Sequence, residues 1–441
     1  MNKKIILSAL AALSISTAVH ASTLTLYTDP TTGQVFTTPA EGRIEMGEFI
    51  SAGSVKAMNK TQDEEIKTIT KKSVPVLAKA SKLKFSGVHY LGYNYTNNKS
   101  LAANADSNGN AAVPDNQTGK FEMRRNYVQV KAYLFDEPKS FLRVTMDATT
   151  QNAESMDAAA GSTFAHMDVY IKYAYLYLDK VLPYTGVEFG AVHRPWIDYE
   201  EHQAWFYRSI SKVSVESKQA ADLTNSADLG VNFKTKTPYF TSEIGLFNGE
   251  GYHSFDEANG VSNSLEWRAT AAVLGNGNKK RKPKKDTYFD ASFWGQANIH
   301  SAKNDKGVTD NATYKIYGLH TVYNQPSFLI SAQYTKAENE IKDVTSKYNG
   351  EGYSVNGTYR FGTKKEWNLI ARYDRWKSEK QNDASQTQET DNFIYGVSYQ
   401  QNKNVRWILS GETYKALEHR KYDGKPIQDF DSVLLTSEVH W

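Results

Sequence analysis

The sequence predicts an all-β chain, a sixteen-stranded antiparallel transmembrane β-barrel behind a short N-terminal segment. Three observations predict it. From residue 83 to the end, apolar and polar residues alternate in about sixteen segments of period two. The links between those segments alternate between short and long, which is how barrel turns at one rim differ from loops at the other. The mean hydropathy is only −0.59, as expected when one face of each strand meets lipid and the other meets water.

Residues 1–21 read as a cleavable secretory leader. Lys3 and Lys4 precede the apolar run Ile5 to Ile15, and Val19-His20-Ala21 offers a small-residue cleavage site before Ser22. The run is too short to cross a bilayer. Residues 22–81 read as an N-terminal periplasmic segment. Thr23 to Asp29 and Gln34 to Thr37 flank the turn Asp29-Pro30-Thr31-Thr32-Gly33 as a small hairpin. Val55, Met58, Ile66 and Ile69 lie at roughly helical spacing in 54–80, which predicts a short helix that Pro75 interrupts.

The barrel occupies 82–441. Its strands are expected at 83–95, 121–134, 140–149, 167–178, 186–194, 227–234, 239–247, 263–274, 287–299, 313–323, 327–337, 351–361, 366–377, 391–400, 404–416 and 430–441. Short links such as Phe135 to Pro138, Asn324 to Pro326 and Gln401 to Lys403 follow even strands. Long polar links follow odd ones: 96–120, 150–166, 195–226, 248–262, 300–312, 338–350, 378–390 and 417–429. An even count with short turns on one side puts both termini in the periplasm. Phe289, Ala291, Phe293 and Ala297 alternate with Asp290, Ser292, Gln296 and Asn298. The polar set must face inward, because an Arg at the bilayer midplane costs about 2–4 kcal/mol. The last strand ends in Val433, Leu435, Val439 and terminal Trp441 on one face, a pattern that resembles the signal read by the outer-membrane barrel assembly machinery.

Composition narrows the function. The 52 Lys+Arg nearly balance the 49 Asp+Glu, so overall charge suggests no nucleic-acid partner. The chain has no Cys, which excludes disulfides, thiol chemistry and Cys-ligated zinc. The 28 Tyr, 19 Phe and 8 Trp suit aromatic girdles at the two interfaces with outer-membrane lipid and lipopolysaccharide. His166, His193 and His202 lie near the external rim, but no spacing pairs a nucleophile with a base. No catalytic residue, metal ligand or cofactor site is predicted. An outer-membrane protease or phospholipase, and a surface adhesin or receptor, are the alternatives to a channel.

Sixteen strands close around a lumen wide enough for water. The longest external link, 195–226, is the candidate for a loop that folds inward and constricts it; the alternative is a solvated surface loop. It carries Asp198, Glu200 and Glu201 first and Arg208 and Lys212 later. Alternation puts Arg125, Arg143, Arg268, Arg360, Arg372 and Arg406 on lumen faces, among Asp147, Glu188, Glu243, Glu266, Asp290, Asp374 and Glu412. Each arginine could line an anion path or brace the wall through an ion pair. The basic run Lys279 to Lys285 reads as a solvated periplasmic turn rather than a ligand funnel.

Four motifs occur in order: Phe121-Glu-Met-Arg124-Arg125, Ala191-Val-His193-Arg194-Pro195, Ser226-Ala-Asp228-Leu-Gly230-Val231 and Gly245-Leu-Phe247-Asn248-Gly249-Glu-Gly251. With them the chain resembles the phosphate-selective porin O and P family, most clearly over 120–251. Its opening, Leu26-Tyr-Thr-Asp-Pro30 to Gly42-Arg43, is similar to the leader of porins from epsilon-class bacteria. The resemblance implies a homotrimeric outer-membrane channel with arginines and lysines along an inner path for anions. Combined with the mixed lining read from the residues, the expectation is passive diffusion of ions and small hydrophilic solutes, with a modest anion (phosphate) preference that the three acids oppose.

Overall fold

The computed structural model describes residues 23–50, 82–99, 115–149, 168–249, 251, 263–298, 314–343, 346–418, 421–422, 425–426 and 428–441. The expected leader and the helix expected in 54–80 lie outside them. The chain divides into two units, Met1–Ser81 and Lys82–Trp441.

In the first unit, β1 (Thr23–Thr28) pairs with β2 (Val35–Phe36) and, on its other edge, with β3 (Ile44–Ile50). The turn after β1 is set by Asp29, whose Oδ1 accepts from Thr31 N at 2.8 Å, and by Gly33 at φ 71°. The sequence pattern predicts no third strand. A bulge opposite Leu26 and Tyr27, with Gly47 at φ 108°, breaks the alternation of Ile44, Met46 and Phe49 and hides the period of two.

The second unit is a closed barrel of sixteen antiparallel strands. They are β4 (Leu83–Asn98), β5 (Asn116–Ala132), β6 (Phe141–Thr149), β7 (Asp168–Leu182), β8 (Thr185–His193), β9 (Ala227–Lys236), β10 (Phe240–Phe247), β11 (Ser264–Leu274), β12 (Tyr288–Asn298), β13 (Lys315–Gln325), β14 (Phe328–Asp343), β15 (Ser346–Phe361), β16 (Trp367–Lys380), β17 (Asp383–Gln400) and β18 (Val405–Glu418), closed by β21 (Phe430–His440). Two short strands, β19 (Lys421–Tyr422) and β20 (Lys425–Pro426), form a ribbon between β18 and β21. Each barrel strand pairs with the next, and β21 returns to β4. Closure removes the edges of the sheet, so the backbone saturates its own hydrogen bonds without a disulfide. At the seam, Trp441 and Gly87 exchange backbone hydrogen bonds of 3.0 and 3.1 Å. The Trp441 ring fills the space a Cβ on Gly87 would need.

All sixteen predicted strands are present, but two predicted links are not loops. Residues 338–350 and 378–390 are mostly strand, because β14–β15 and β16–β17 extend as long hairpins beyond the wall. Register sets Lys336, Glu351, Lys377 and Glu389 in one row of alternating sign. There both faces are polar, so alternation vanishes from the sequence while the backbone ladder continues.

The faces follow the predicted alternation. Phe293, Leu319, Tyr353, Leu369 and Leu409 are exposed on the outside, whereas Asp290, Gln296, Asn356, Arg360 and Arg372 are buried on the inside. Register shifts interrupt it at several points, two of which redirect cations. At Tyr90–Leu91 the register skips Arg124, and at Thr145–Met146 it skips Lys172. An extra residue lets two successive side chains share a face, so Arg124 joins Arg125, and Lys172 joins Tyr173, in the lumen.

Candidate functional site

The link between β8 and β9 folds into the lumen. It opens as a helix, α1 (Pro195–Gln203), with Pro at its first position, where no backbone donor is lost. Arg194 fixes the base. Its guanidinium reaches Asp228 at 2.8 Å, Glu266 at 2.9 Å, Thr224 at 2.7 Å and the Gly249 carbonyl at 3.1 Å. Asp228 in turn accepts from Gly249 N at 2.7 Å. Three of the four sequence motifs thus meet at one point, and their common task is to pin the two ends of the loop together.

Beyond its base the loop packs by two different means. Trp196, Ile197, Tyr199, Trp205, Tyr207, Ile210, Val213, Val215 and Leu223 form one buried cluster with Trp294, Ile316, Ala337, Ile370, Trp376, Ile394, Ile408 and Leu434. The latter all come from inward positions of β12–β14, β16–β18 and β21. Trp196 stacks on Trp294 at 4.8 Å between ring centres. The inward face is therefore not uniformly polar; its apolar members form a dry dock for the loop. The wall also offers guanidinium groups to loop carbonyls that have no ladder partner. Arg124 Nε donates to Ser209 O at 2.8 Å, Arg372 to Lys212 O at 2.6 Å, Arg406 to Phe206 O at 2.6 Å and Arg268 to Pro195 O at 3.3 Å.

The predicted wall arginines all point inward, and each has partners. Arg125 pairs with Asp147 at 2.9 Å, and Arg143 reaches Tyr175 Oη at 3.1 Å and lies over Tyr173. Arg268 pairs with Glu243 at 3.0 Å, and Arg372 with Asp374 at 2.7 Å. Arg406 pairs with Glu438, and Arg360 binds Asn324 Oδ1 at 2.9 Å. Three of them, Arg268, Arg372 and Arg406, also stack over loop rings, Tyr199, Trp205 and Tyr207 respectively.

The five loop residues proposed from sequence do not form one set. Asp198 faces Lys234 at 3.2 Å and His202 at 3.4 Å. Although burial pushes its carboxyl up, Lys234, His193 and His202 hold it well below the usual carboxylate range. Glu200 lies on the other side, beside Gln333 and Arg372. Burial pushes it up to about 8, with Arg372 opposing and Asp374 adding to the shift. Glu201 pairs with Arg208. Arg208 and Lys212 converge on Glu216, at 2.8 and 3.3 Å, and despite burial these two cations hold the Glu216 carboxyl well below its usual range. Sequence reasoning misses Glu216, although its spacing of four from Lys212 is a signal. It also misses Arg124, which strict alternation sends outward.

The run Lys279 to Lys285 is the expected solvated turn only in part: Lys279, Lys280, Lys282 and Lys285 are exposed, whereas Arg281 and Lys284 are drawn in. Asn324 Nδ2 holds the carbonyls of Pro283 and Asp286 at 3.0 and 2.7 Å, Arg281 pairs with the inward Asp290, and Lys365 Nζ reaches Lys284 O at 3.5 Å. The turn is thus drawn over the short-turn mouth of the lumen. Burial, then Arg406 and Arg360, lower the Lys284 ammonium. Asp290 also accepts from Tyr199 Oη at 2.6 Å, and Tyr288 Oη donates to Gln203 O at 2.9 Å, so the turn braces α1. Inward carbonyl acceptors and an inward Asp outweigh the solvation of part of the run.

At the long-loop end a cavity of about 400 Å³ remains above the in-folded loop, bounded by Arg124, Arg125, Lys212 and Lys218 on one side and by β4, β18 and β21 on another. Among the described residues no group of three or more His, Asp or Glu is placed to hold a metal ion.

No known family profile matches the chain, and no curated protein matches it. Solved structures do. It is similar to outer-membrane OmpT of Vibrio cholerae, at 13% identity and TM-score 0.53 over 81% of this chain and 97% of that one. An anion-selective porin from Comamonas acidovorans matches at 10% identity and TM-score 0.52, covering 81% and 99%. OprB of Pseudomonas putida matches at 10% identity and TM-score 0.52, covering 84% and 96%. At these identities the likeness is one of fold: the chain has the barrel of outer-membrane porins. The resemblance to the O and P family is supported at that level and not at the level of the family.

Proposed function

We propose that the chain is a passive outer-membrane porin with a modest anion preference, its short turns and both termini in the periplasm. The observation that carries this reading is the 195–226 loop, clamped inside a closed sixteen-stranded barrel whose remaining lumen lining is charged and polar. A lumen narrowed by fixed charges screens them less than an open surface does, so a few groups set selectivity. Cations of the loop and of the bulge in β5, Arg124, Arg208 and Lys212, favour anions. Asp198, Glu201 and Glu216 offset them. No residue acts as a nucleophile in this reading, and substrate chemistry has no part in it. Trimer formation through the apolar outer faces of β4–β6 and β21 belongs to the same proposal, and cross-linking in mild detergent tests it; monomers alone would remove it.

The test of the channel is conductance in a planar bilayer under a salt gradient. Expected are open channels with a zero-current potential slightly on the anion side. Neutralising Asp198 and Glu201 together should move it further toward anions, since Lys234 and Arg208 lose a counter-charge. Absence of conductance would overturn the reading.

A further inference from the structure

The cavity at the long-loop end has two chemically unlike sides. One carries cations: the bulge in β5 turns the adjacent guanidiniums of Arg124 and Arg125 inward, where they pair with Glu122 and Asp147, and the loop adds Lys212, paired with Glu216, and Lys218. The other is a hydrogen-bonding grid. Register places Thr96 of β4, Ser432 of β21 and Glu412 of β18 in one row, and Asn94, Leu434 and Ser410 in the next. All six line the cavity. Neighbouring strands lie about 4.8 Å apart, so each row repeats its polar heads at that interval.

These two sides discriminate between solutes. A small inorganic oxyanion would use the cation-bearing side alone. The rows suit a different shape: an extended chain of hydroxyl groups laid across the strands, giving protons to Glu412 and exchanging hydrogen bonds with Thr96, Ser432 and Asn94. Glu412 also sets a limit, because a second negative charge at that end would meet a carboxylate. A volume of about 400 Å³ falls in the range of small-molecule sites. We propose that this cavity is a binding subsite for small polyhydroxylated monocarboxylates of the sugar-acid type. The carboxylate rests on the cation-bearing side, and the hydroxyl chain lies along the Thr96–Ser432–Glu412 row.

The inference rests on the channel reading for its physiological meaning, but binding can be read without conductance. Ligand-observed NMR on the detergent-folded full chain, with gluconate, glucose and inorganic phosphate as probes, measures it directly. Saturable reduction of chloride current by gluconate measures it in the bilayer. Gluconate is expected to bind at least about threefold more tightly than glucose or phosphate, the factor one or two additional neutral hydrogen bonds supply. Lys218→Gln, at an exposed loop position, should weaken gluconate and phosphate alike. Thr96→Val with Ser432→Ala should weaken gluconate and leave phosphate unchanged. Conducting channels with equal gluconate and glucose binding, or with phosphate binding as tightly and gluconate indifferent to the Thr96 and Ser432 changes, would overturn the subsite while leaving the porin intact. Gluconate binding without conductance would do the reverse.

Discussion

The two sides of the lumen hold the same loop by opposite physics. On the arc from β12 to β21 the contact is mainly apolar: Trp196 lies on Trp294, and Ile316, Ile370, Ile394 and Ile408 join one buried cluster with Trp205 and Tyr207. Even the arginines there, Arg372 and Arg406, meet the loop partly through rings. On the arc from β5 to β11 the contact is ionic. Arg194 joins Asp228 and Glu266, Lys234 gathers Glu188, Asp198 and Glu243, and Arg124 holds the Ser209 carbonyl. An apolar contact tolerates the loss of a methyl group by degrees. An ionic one fails abruptly, because removing one partner strands a buried charge. The loop is therefore hinged on its ionic side and cushioned on its apolar side.

The largest effect should come from the hinge. Arg194→Met leaves Asp228 and Glu266 buried without their guanidinium, at a cost of about 3–5 kcal/mol. Expected are proteolytic cleavage within 195–226 and larger, noisier single-channel currents while the barrel itself stays folded by circular dichroism. If the triple change Arg194→Met, Asp228→Asn, Glu266→Gln were as damaging as the single one, the stranded charges would not be the reason.

A smaller, graded effect should follow on the cushioned side. Ile316→Val with Ile408→Val removes two buried methyl groups and should weaken loop docking by about 1–3 kcal/mol in total. Limited proteolysis against denaturant would register it, and a loss as large as that of Arg194→Met would erase the contrast between the arcs.

Next comes pH. The Glu200 carboxyl, pushed up to about 8 by burial, is mostly neutral at pH 7. Its folded value lies above the ordinary one, so its contribution to docking is full below about pH 4.5 and is lost as pH rises through about 8. Conductance noise should grow between pH 7 and 9, and Glu200→Gln should flatten that dependence. A profile unchanged by the substitution would assign the titration to another group.

The smallest effect is expected at the other mouth. Lys284→Gln removes a partly buried cation near Arg360 and Arg406 and should shift the zero-current potential slightly toward cations. Arg281→Gln should add noise rather than selectivity, because it frees the brace between Asp290 and Tyr199.

Much of this architecture is legible in the residues alone. Alternation in Phe289 to Asn298 or Tyr353 to Phe361 assigns both faces, because one face must be apolar to meet lipid. The loop at 195–226 stands out by its length and its position. The pairing within it does not: Asp198 and Glu200 lie two residues apart on α1 yet face opposite arcs of the lumen. Arg124 is invisible as a lumen residue because a bulge is a property of paired strands, not of one strand read alone.

Local periodicity, which each segment carries independently, accounts for the repeating part of the molecule: sixteen strands, their two faces, the two kinds of link and a terminal strand ending in Trp441. The use made of the inward face is a matter of three-dimensional closure. An inward Ile, Arg or Asp reads the same along its own strand whether it meets water, a solute or the loop. Closure of the barrel around residues 195–226 brings Arg194 to Asp228, Trp196 to Trp294 and Arg208 to Glu216, and burial there gives each contact its strength.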